Sequence, residues 1–199
     1  MPFTGDSYRA VRDSIRDGDL LLWRPSGLFG RVICAGSGSQ HSHAGIAGWI
    51  TLPDGTRRLM SLETIEGQGG VIRPLSELVA KWPGRIDVYR ANPGNRWPEF
   101  NRSATVTAFF DNVIGKEYGK WAAFKAALRK MFVLRLFLRP KYGDDQGAGY
   151  PPFCSGAVAR WTREGGGVDP VPGLADDSTW PGHLENSQFY ELKYKGLTP

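Results

Sequence analysis

The sequence feature that most constrains the fold is the stretch Pro-Pro-Phe-Cys-Ser at residues 151–155. Proline disfavours helix, but the following residues 157–161 are mostly apolar with helical spacing, so the pattern predicts a helix that begins at Cys154. Unpaired backbone N–H groups and the helix dipole favour a thiolate at such a position, which lowers the pKa of the cysteine. The alternative is a buried, unreactive thiol. Residues elsewhere in the sequence are needed to decide between a reactive thiolate and a buried thiol.

A second informative stretch begins at His43 and supplies a candidate base. Small and apolar residues follow the histidine, which is typical of a central strand, and Pro-Asp-Gly at residues 53–55 predicts a hairpin turn. Residues 58–64 then form the returning strand. Pairing of these two strands favours a contact between His43 and the acid Glu63. Glu66, just past the strand, is the competing candidate.

The remaining pattern predicts an α+β fold in a single domain over residues 1–199, because the length suits one core and no repeat or linker divides the chain. Apolar spacing predicts helices over residues 8–16, 75–82 and 97–115, and strands over residues 20–23, 71–74, 85–90 and 189–192. Residues 25–38 are expected to form a loop or short helix, and residues 180–184 a tight turn.

Residues 120–139 interleave large apolar side chains with lysine and arginine, which is typical of a basic amphipathic helix. Such a helix either packs on the core with its charges in water or lies on an anionic membrane surface. The net charge of +5 would suit a polyanion, yet it is also ordinary for a solvated surface. We therefore expect no nucleic-acid partner.

Targeting and metal signals are absent from the sequence. Residues 1–6 lack the pattern of a secretory signal, and no stretch is apolar for long enough to span a bilayer. We expect synthesis in the cytoplasm, with action there or at the cell envelope after delivery by an assembly. Cys34 and Cys154 are too few for a disulfide framework, and no spacing suggests zinc. We expect no metal or other cofactor, and Cys34 is interpreted as a core thiol.

Together, Cys154, His43 and Glu63 have the groups required for acyl transfer through a thioester. The histidine would accept the thiol proton and return it to the leaving group. Glu63 would orient the imidazole and stabilise its charged form.

An oxyanion would be bound by the backbone N–H of Cys154 and one further donor. Candidates for that donor or for substrate contacts are Tyr118, Ser42, Ser155 and the segment 39–41. The two other histidines are interpreted differently, His41 as a loop residue and His183 as a structural residue of its turn.

The order of several short motifs carries a family resemblance. These motifs are Gly-Asp-Leu-Leu-Leu-Trp at residues 18–23, Ser-His-Ala-Gly-Ile at 42–46, Leu-Glu at 62–63, Phe-Cys-Ser at 153–155 and Trp-Pro-Gly-His-Leu at 180–184. Their order resembles that of circularly permuted NlpC-type papain-fold proteins, in particular the YiiX/YaeF-like group, with lecithin:retinol acyltransferase as a more distant relative. In unpermuted members the cysteine precedes the histidine, whereas here it follows.

The resemblance implies a papain-like fold with a central antiparallel sheet and a triad of Cys154, His43 and Glu63. It also implies substrates among cell-wall peptides, other amides or lipid acyl esters. Two features depart from the family pattern: the segment between Tyr118 and Cys154, which leaves the substrate open, and Gly156, where the family commonly has an acid.

These observations lead to three functional hypotheses. The first is a cysteine peptidase or amidase that cleaves an amide bond, in peptidoglycan stem peptides. The second is a lipid acyl hydrolase or acyltransferase with the same triad, for which residues 120–139 are the main support. The third is a structural, cell-wall-contacting component of a phage tail or secretion apparatus.

Overall fold

A six-stranded antiparallel sheet organises the protein, and helices cover both of its faces. The computed structural model describes residues 5–65, 68–113 and 154–199. Within these ranges the strands are β1 Leu20–Trp23, β2 His43–Thr51, β3 Arg57–Ile65, β4 Gly69–Pro74, β5 Ile86–Ala91 and β6 Tyr190–Tyr194. The helices are α1 Tyr8–Val11, α2 Leu28–Ser37, α3 Leu75–Lys81, α4 Arg102–Val113, α5 Cys154–Glu164 and α6 Pro181–Glu185. The strand order is β4-β3-β2-β1-β5-β6. The protein therefore has an α+β fold.

The hairpin of β2 and β3 is confirmed, and its register fixes which residues face each other. Ile46 lies opposite Leu62, and Gly45 lies opposite Glu63. At the turn, the N–H of Leu52 bonds to the carbonyl of Thr56. Gly55 has φ +81°, a conformation that favours glycine.

Alternation along the strands divides the core into two layers. One face of the sheet packs against α4, α5 and α6, with Leu22, Ile46 and Leu62 fully buried among their side chains. The other face packs against α1 and α3 and includes Leu21 and Val88. Period-2 alternation in the strands thus supplies both hydrophobic layers from the same short segments.

Several element predictions differ from the structure. The helix predicted over residues 8–16 is only the short α1, followed by a 3₁₀ turn at Arg12–Ser14. Of the loop or short helix expected over residues 25–38, the structure has the helix, over Leu28–Ser37. The helix predicted from residue 97 begins at Arg102, because the Asn101 side chain accepts the N–H of Ala104 at 3.0 Å and so caps it there.

The turn predicted at residues 180–184 is instead the helix α6, with Pro181 in its first turn, where a missing N–H costs nothing. The strand predicted after it is confirmed as β6, at the edge of the sheet. Four predictions lie outside the described residues. They concern the basic segment 120–139, Tyr118, Glu66 and the end at residue 115 of the helix predicted from residue 97. No helix of the described part is long and apolar enough to cross a membrane.

Candidate active site

His43 and Glu63 meet across the β2–β3 pair. The ring Nε2 of His43 lies 2.7 Å from Oε2 of Glu63. Because Gly45 is opposite Glu63, and His43 is two residues before Gly45, both side chains project from the same face of the sheet. Glu63 is completely buried, whereas the His43 side chain keeps 26% of its surface exposed. The histidine therefore connects a buried carboxylate to the solvent side.

Gly45 provides the space for this contact. A Cβ at this position would lie 2.8 Å from Cγ of Glu63 and 2.8 Å from the carbonyl oxygen of Leu62. The Trp23 ring lies 3.3 Å from the same Cβ position and contacts the His43 ring with a centroid separation of 5.0 Å. The imidazole is thus held between an indole ring and a carboxylate.

Cys154 is the first residue of α5, which packs against β2. Its sulfur lies beside the ring of His43 and near the backbone N–H groups of Ala44 and Ser155, which interact favourably with the thiolate. Because Nε2 of His43 bonds to Glu63, Nδ1 is the ring nitrogen left for the sulfur. The imidazole consequently interacts with both the thiol and the carboxylate.

The three groups shift one another's pKa values. Burial opposes ionisation of Cys154, but the His43 charge, its hydrogen bond and the two backbone N–H groups prevail, so the thiol pKa is lowered. Burial also disfavours the His43 imidazolium, yet the Cys154 sulfur and then Glu63 raise its pKa from 6.5 to about 10. For Glu63, burial is outweighed by His43 and then by Arg73, and its pKa is lowered. These directions favour a thiolate–imidazolium pair beside an ionised carboxylate at neutral pH.

Arg73 is a member of this cluster that sequence reasoning missed. Its Nη2 lies 2.8 Å from Oε2 of Glu63, the same oxygen that bonds to His43. A signal was present in the sequence, because residues 71–74 were predicted to form a strand and Arg73 alternates onto one face with Val71. In the register, Val71 is opposite Glu63.

The other candidates for substrate or oxyanion contacts have the following positions. The Ser155 hydroxyl is buried and donates to the carbonyl of Thr179 at 2.7 Å, so it fixes the start of α5. The N–H of Ser42 bonds to the carbonyl of Trp23 at 2.9 Å, and its side chain is partly exposed. Oxyanion roles for Ser42, for Ser155 and for the backbone N–H of Cys154 stay predictions.

His41 precedes β2 but is not an ordinary loop residue, because it is 1% exposed and lies between two carboxylates. Its Nδ1 is 3.0 Å from Glu185 and its Nε2 is 2.9 Å from Asp87. Arg24 also bonds to both oxygens of Asp87, at 2.8 and 3.0 Å. A lone histidine in a polar segment gave no signal of this buried network.

The remaining cysteine and histidine are engaged elsewhere. Neither Cys34 nor Cys154 forms a disulfide. Burial and then the nearby Glu185 charge raise the pKa of the Cys34 thiol, which is the opposite of the shift at Cys154. Nδ1 of His183 accepts the backbone N–H of Trp180 at the start of α6, at 3.1 Å.

Clusters of potential metal-ligating side chains are absent from the part of the chain that the structure describes. In residues 5–65, 68–113 and 154–199, no group of three or more His, Cys, Asp or Glu side chains could hold a metal ion. Nε2 of His43 and Oε2 of Glu63 already bond to each other.

Comparison with known proteins gives a fold relationship. No protein-family model matches the chain. No curated protein matches it either. Among solved structures, the chain is similar to the crystal structure of the metalloprotein YiiX from Escherichia coli O157:H7, with a TM-score of 0.57 and 14% identity. The match covers 92% of this chain and 98% of that chain. At this identity, the similarity shows the fold alone.

Proposed function

We propose that the protein is a cysteine hydrolase with a papain-like fold that cleaves an amide bond through Cys154, His43 and Glu63. The observation that carries the proposal is the His43 imidazole, which interacts with the Cys154 sulfur and lies 2.7 Å from the buried Glu63 carboxylate. A nucleophile, a base and a group that orients the base are the components of covalent acyl transfer. The pKa directions of the thiol and the imidazole add to this support.

In the proposed reaction, the Cys154 thiolate attacks the amide carbonyl carbon, and the C=O electron pair moves to the oxygen. When the tetrahedral intermediate collapses, the C–N bond breaks and the His43 imidazolium donates its proton to the leaving amine. The product is a thioester on Cys154. Neutral His43 then takes a proton from water, hydroxide attacks the thioester, and the thiolate leaves. Glu63 keeps the ring oriented throughout and stabilises its charged form.

The proposed substrate is a peptide amide, with cell-wall stem peptides as the first class to test. This choice rests on the order of the sequence motifs, since fold similarity at 14% identity carries no substrate. Hydrolysis or transfer of a lipid acyl ester would use the same three residues, with an alcohol instead of an amine as leaving group. The bond attacked has to be determined by assay.

Thiol reactivity tests the proposal directly. We expect iodoacetamide to alkylate Cys154 much faster than Cys34 at pH 7, because the two thiol pKa values are shifted in opposite directions. Mass spectrometry of the wild type, Cys34→Ala and Cys154→Ala would assign the fast site, and His43→Gln should slow it. Equally slow labelling of both cysteines would contradict the proposal.

A substrate panel then identifies the bond. Purified protein is incubated with muropeptides and with acyl esters, and an acyl adduct on Cys154 is sought by mass spectrometry. We expect amide cleavage that Cys154→Ala abolishes while it remains folded. Turnover of esters alone would replace the amide proposal with the lipid one, and a reactive thiol that turns over neither class would favour a structural role.

A further inference from the structure

We propose that Arg73 is a positioning residue of the site, which holds Glu63 as a carboxylate directed at His43 and neutralises its buried charge. The inference rests on the proposed function and deepens it. It enlarges the cluster from three side chains to four. Arg73 bonds to Glu63 and, among the described residues, makes no hydrogen bond or ion pair with Cys154 or His43, so it acts through Glu63.

The geometry places both cationic partners on one oxygen. His43 Nε2 lies 2.7 Å and Arg73 Nη2 lies 2.8 Å from Oε2 of Glu63. The other oxygen, Oε1, is buried and has no hydrogen-bond partner among the described residues. Since Glu63 is completely buried, the stability of its charge depends on these two contacts. His43 is neutral in part of the proposed cycle, which leaves Arg73 as the constant positive partner.

Arg73 is itself held in place. It lies on β4 directly opposite Ser61 of β3, so its backbone is fixed by the strand pair. Its guanidinium carbon lies 5.7 Å from the centre of the Trp82 ring, just past α3. This face of the guanidinium is therefore covered, and an N–H edge points to Glu63.

Charge counting shows what Arg73 contributes. With Arg73 present, thiolate, imidazolium, carboxylate and guanidinium sum to zero, and so do thiol, neutral imidazole, carboxylate and guanidinium. Transfer of the proton from Cys154 to His43 thus leaves the buried charge balanced. Without Arg73 both states carry one net negative charge. Removing a positive charge makes every remaining acidic proton harder to lose, so the thiolate should form only at higher pH.

The first test measures the alkylation rate of Cys154 by iodoacetamide against pH in a Cys34→Ala background. We expect Arg73→Gln to shift the acid limb of the profile upward by about one pH unit, the lower end of what a neighbouring charge produces. Arg73→Lys should restore most of the shift because it retains the charge. Arg58→Gln is the matched control, since Arg58 is an exposed arginine on the neighbouring strand, and it should leave the profile unchanged.

A double-mutant cycle separates positioning through Glu63 from a general charge effect. In a Glu63→Gln background, Arg73→Gln should shift the profile by less than half as much, because the carboxylate through which Arg73 acts is gone. An equal shift in both backgrounds, or no shift in the parent, would overturn the inference. Thermal unfolding of each variant identifies loss of folding, and Arg73→Met, which retains the apolar stem, replaces Arg73→Gln if the latter fails to fold.

A second readout does not require a reactive thiol. In a Cys154→Ala background, the His43 ring is titrated by NMR with and without Arg73→Gln, and loss of the guanidinium should raise the pKa of His43. If Cys154 is unreactive in the wild type but this titration still moves, the hydrolase proposal fails and the role of Arg73 stands. If Cys154 is reactive and neither measurement changes, only the role of Arg73 fails.

Discussion

At the scale of single residues, the site combines two opposite pKa shifts in one electrostatically coupled pair, Cys154 and His43. The pKa of Cys154 is lowered and that of His43 is raised to about 10, so the proton that leaves sulfur is retained on the imidazole. The acid form of His43 then persists to alkaline pH. In the proposed reaction this form protonates the leaving amine, whereas simple alkylation of the thiolate needs no such acid.

Because only amide cleavage needs the acid form of His43, the pH profiles of amide cleavage and of Cys154 alkylation should diverge. As pH rises through about 10, His43 loses its proton, and kcat/KM for the amide most rapidly cleaved in the substrate panel should fall. The iodoacetamide rate at Cys154 should not fall, because the thiolate remains. Both rates are measured from pH 6 to 11 on the same preparation, with circular dichroism to exclude alkaline unfolding. Parallel decline of the two rates in folded protein would contradict a general-acid role for His43.

At the scale of elements, strand β2 has two glycines whose replacement would have different consequences. Gly45→Ala would place a methyl group 2.8 Å from Cγ of Glu63, beside the His43 contact. We expect the carboxylate to be displaced and alkylation of Cys154 to slow on the order of tenfold or more, because small displacements in a catalytic site are costly. Stopped-flow or mass-spectrometric alkylation at pH 7 measures the effect.

Gly48→Ala is the matched control on the same strand. Its new methyl group would meet the end of the Leu62 side chain at 2.9 Å, on the sheet face that packs against α4 and away from Glu63. Both variants should lose stability, by about 1–3 kcal/mol for an overpacked core. Only Gly45→Ala should slow alkylation. Equal slowing by both would mean that general loosening of the sheet, and not the position of Glu63, is responsible.

The strands show which features of the fold local sequence can determine. Alternation and the turn at residues 53–55 predicted the β2–β3 hairpin, because period-2 patterns and turn chemistry act over a few residues. The same pairing brought His43 and Glu63 to one face. The helix α6 was missed because proline and glycine at its start suggested a turn, although proline is well suited to the first helical turn.

The contacts missed at the site are the ones that depend on distant packing. Arg73 reaches Glu63 only because β4 adds to the edge of the sheet next to β3, an arrangement that the strand pattern does not specify. His41 acquires its partners from β5 and α6, which lie 46 and 144 residues away along the chain. Local propensity predicted the strand that contains Arg73, but it does not specify which strand that one pairs with or which distant residues surround His41.

At the scale of the whole molecule, the buried network around His41 joins segments from the full length of the chain. Asp87 on β5 bonds to His41 and Arg24, and one of its oxygens also accepts the N–H of Gly196 at 2.6 Å. Glu185 on α6 bonds to His41 and to the Ser39 hydroxyl. The network therefore connects the C-terminal segment and α6 to the residues that immediately precede His43. We expect its loss to weaken the global fold.

Asp87→Asn tests this expectation with little change of shape. The Asp87 side chain is 4% exposed, so the variant removes the buried carboxylate that pairs with Arg24 and hydrogen-bonds to His41, which should lower the free energy of unfolding by about 3 kcal/mol. Urea denaturation at pH 7 measures the loss. The control is Glu164→Gln, which removes partly exposed pairs with Arg160 and Arg163 and should cost less than about 0.5 kcal/mol.

The pH dependence of the stability difference between wild type and Asp87→Asn tests whether the Asp87 charge causes it. Burial opposes ionisation of Asp87, but the His41 hydrogen bond, the Gly196 N–H and Arg24 outweigh it and lower the pKa below 3.8. A carboxylate with a lowered pKa contributes stability that is complete above its unfolded value of 3.8 and is lost as pH falls through the folded pKa. The difference in free energy of unfolding between wild type and Asp87→Asn should therefore stay constant from pH 5 to 7 and shrink below pH 3.8. A gap that persists unchanged into acid would mean that altered hydrogen bonding, and not the charge, connects these segments.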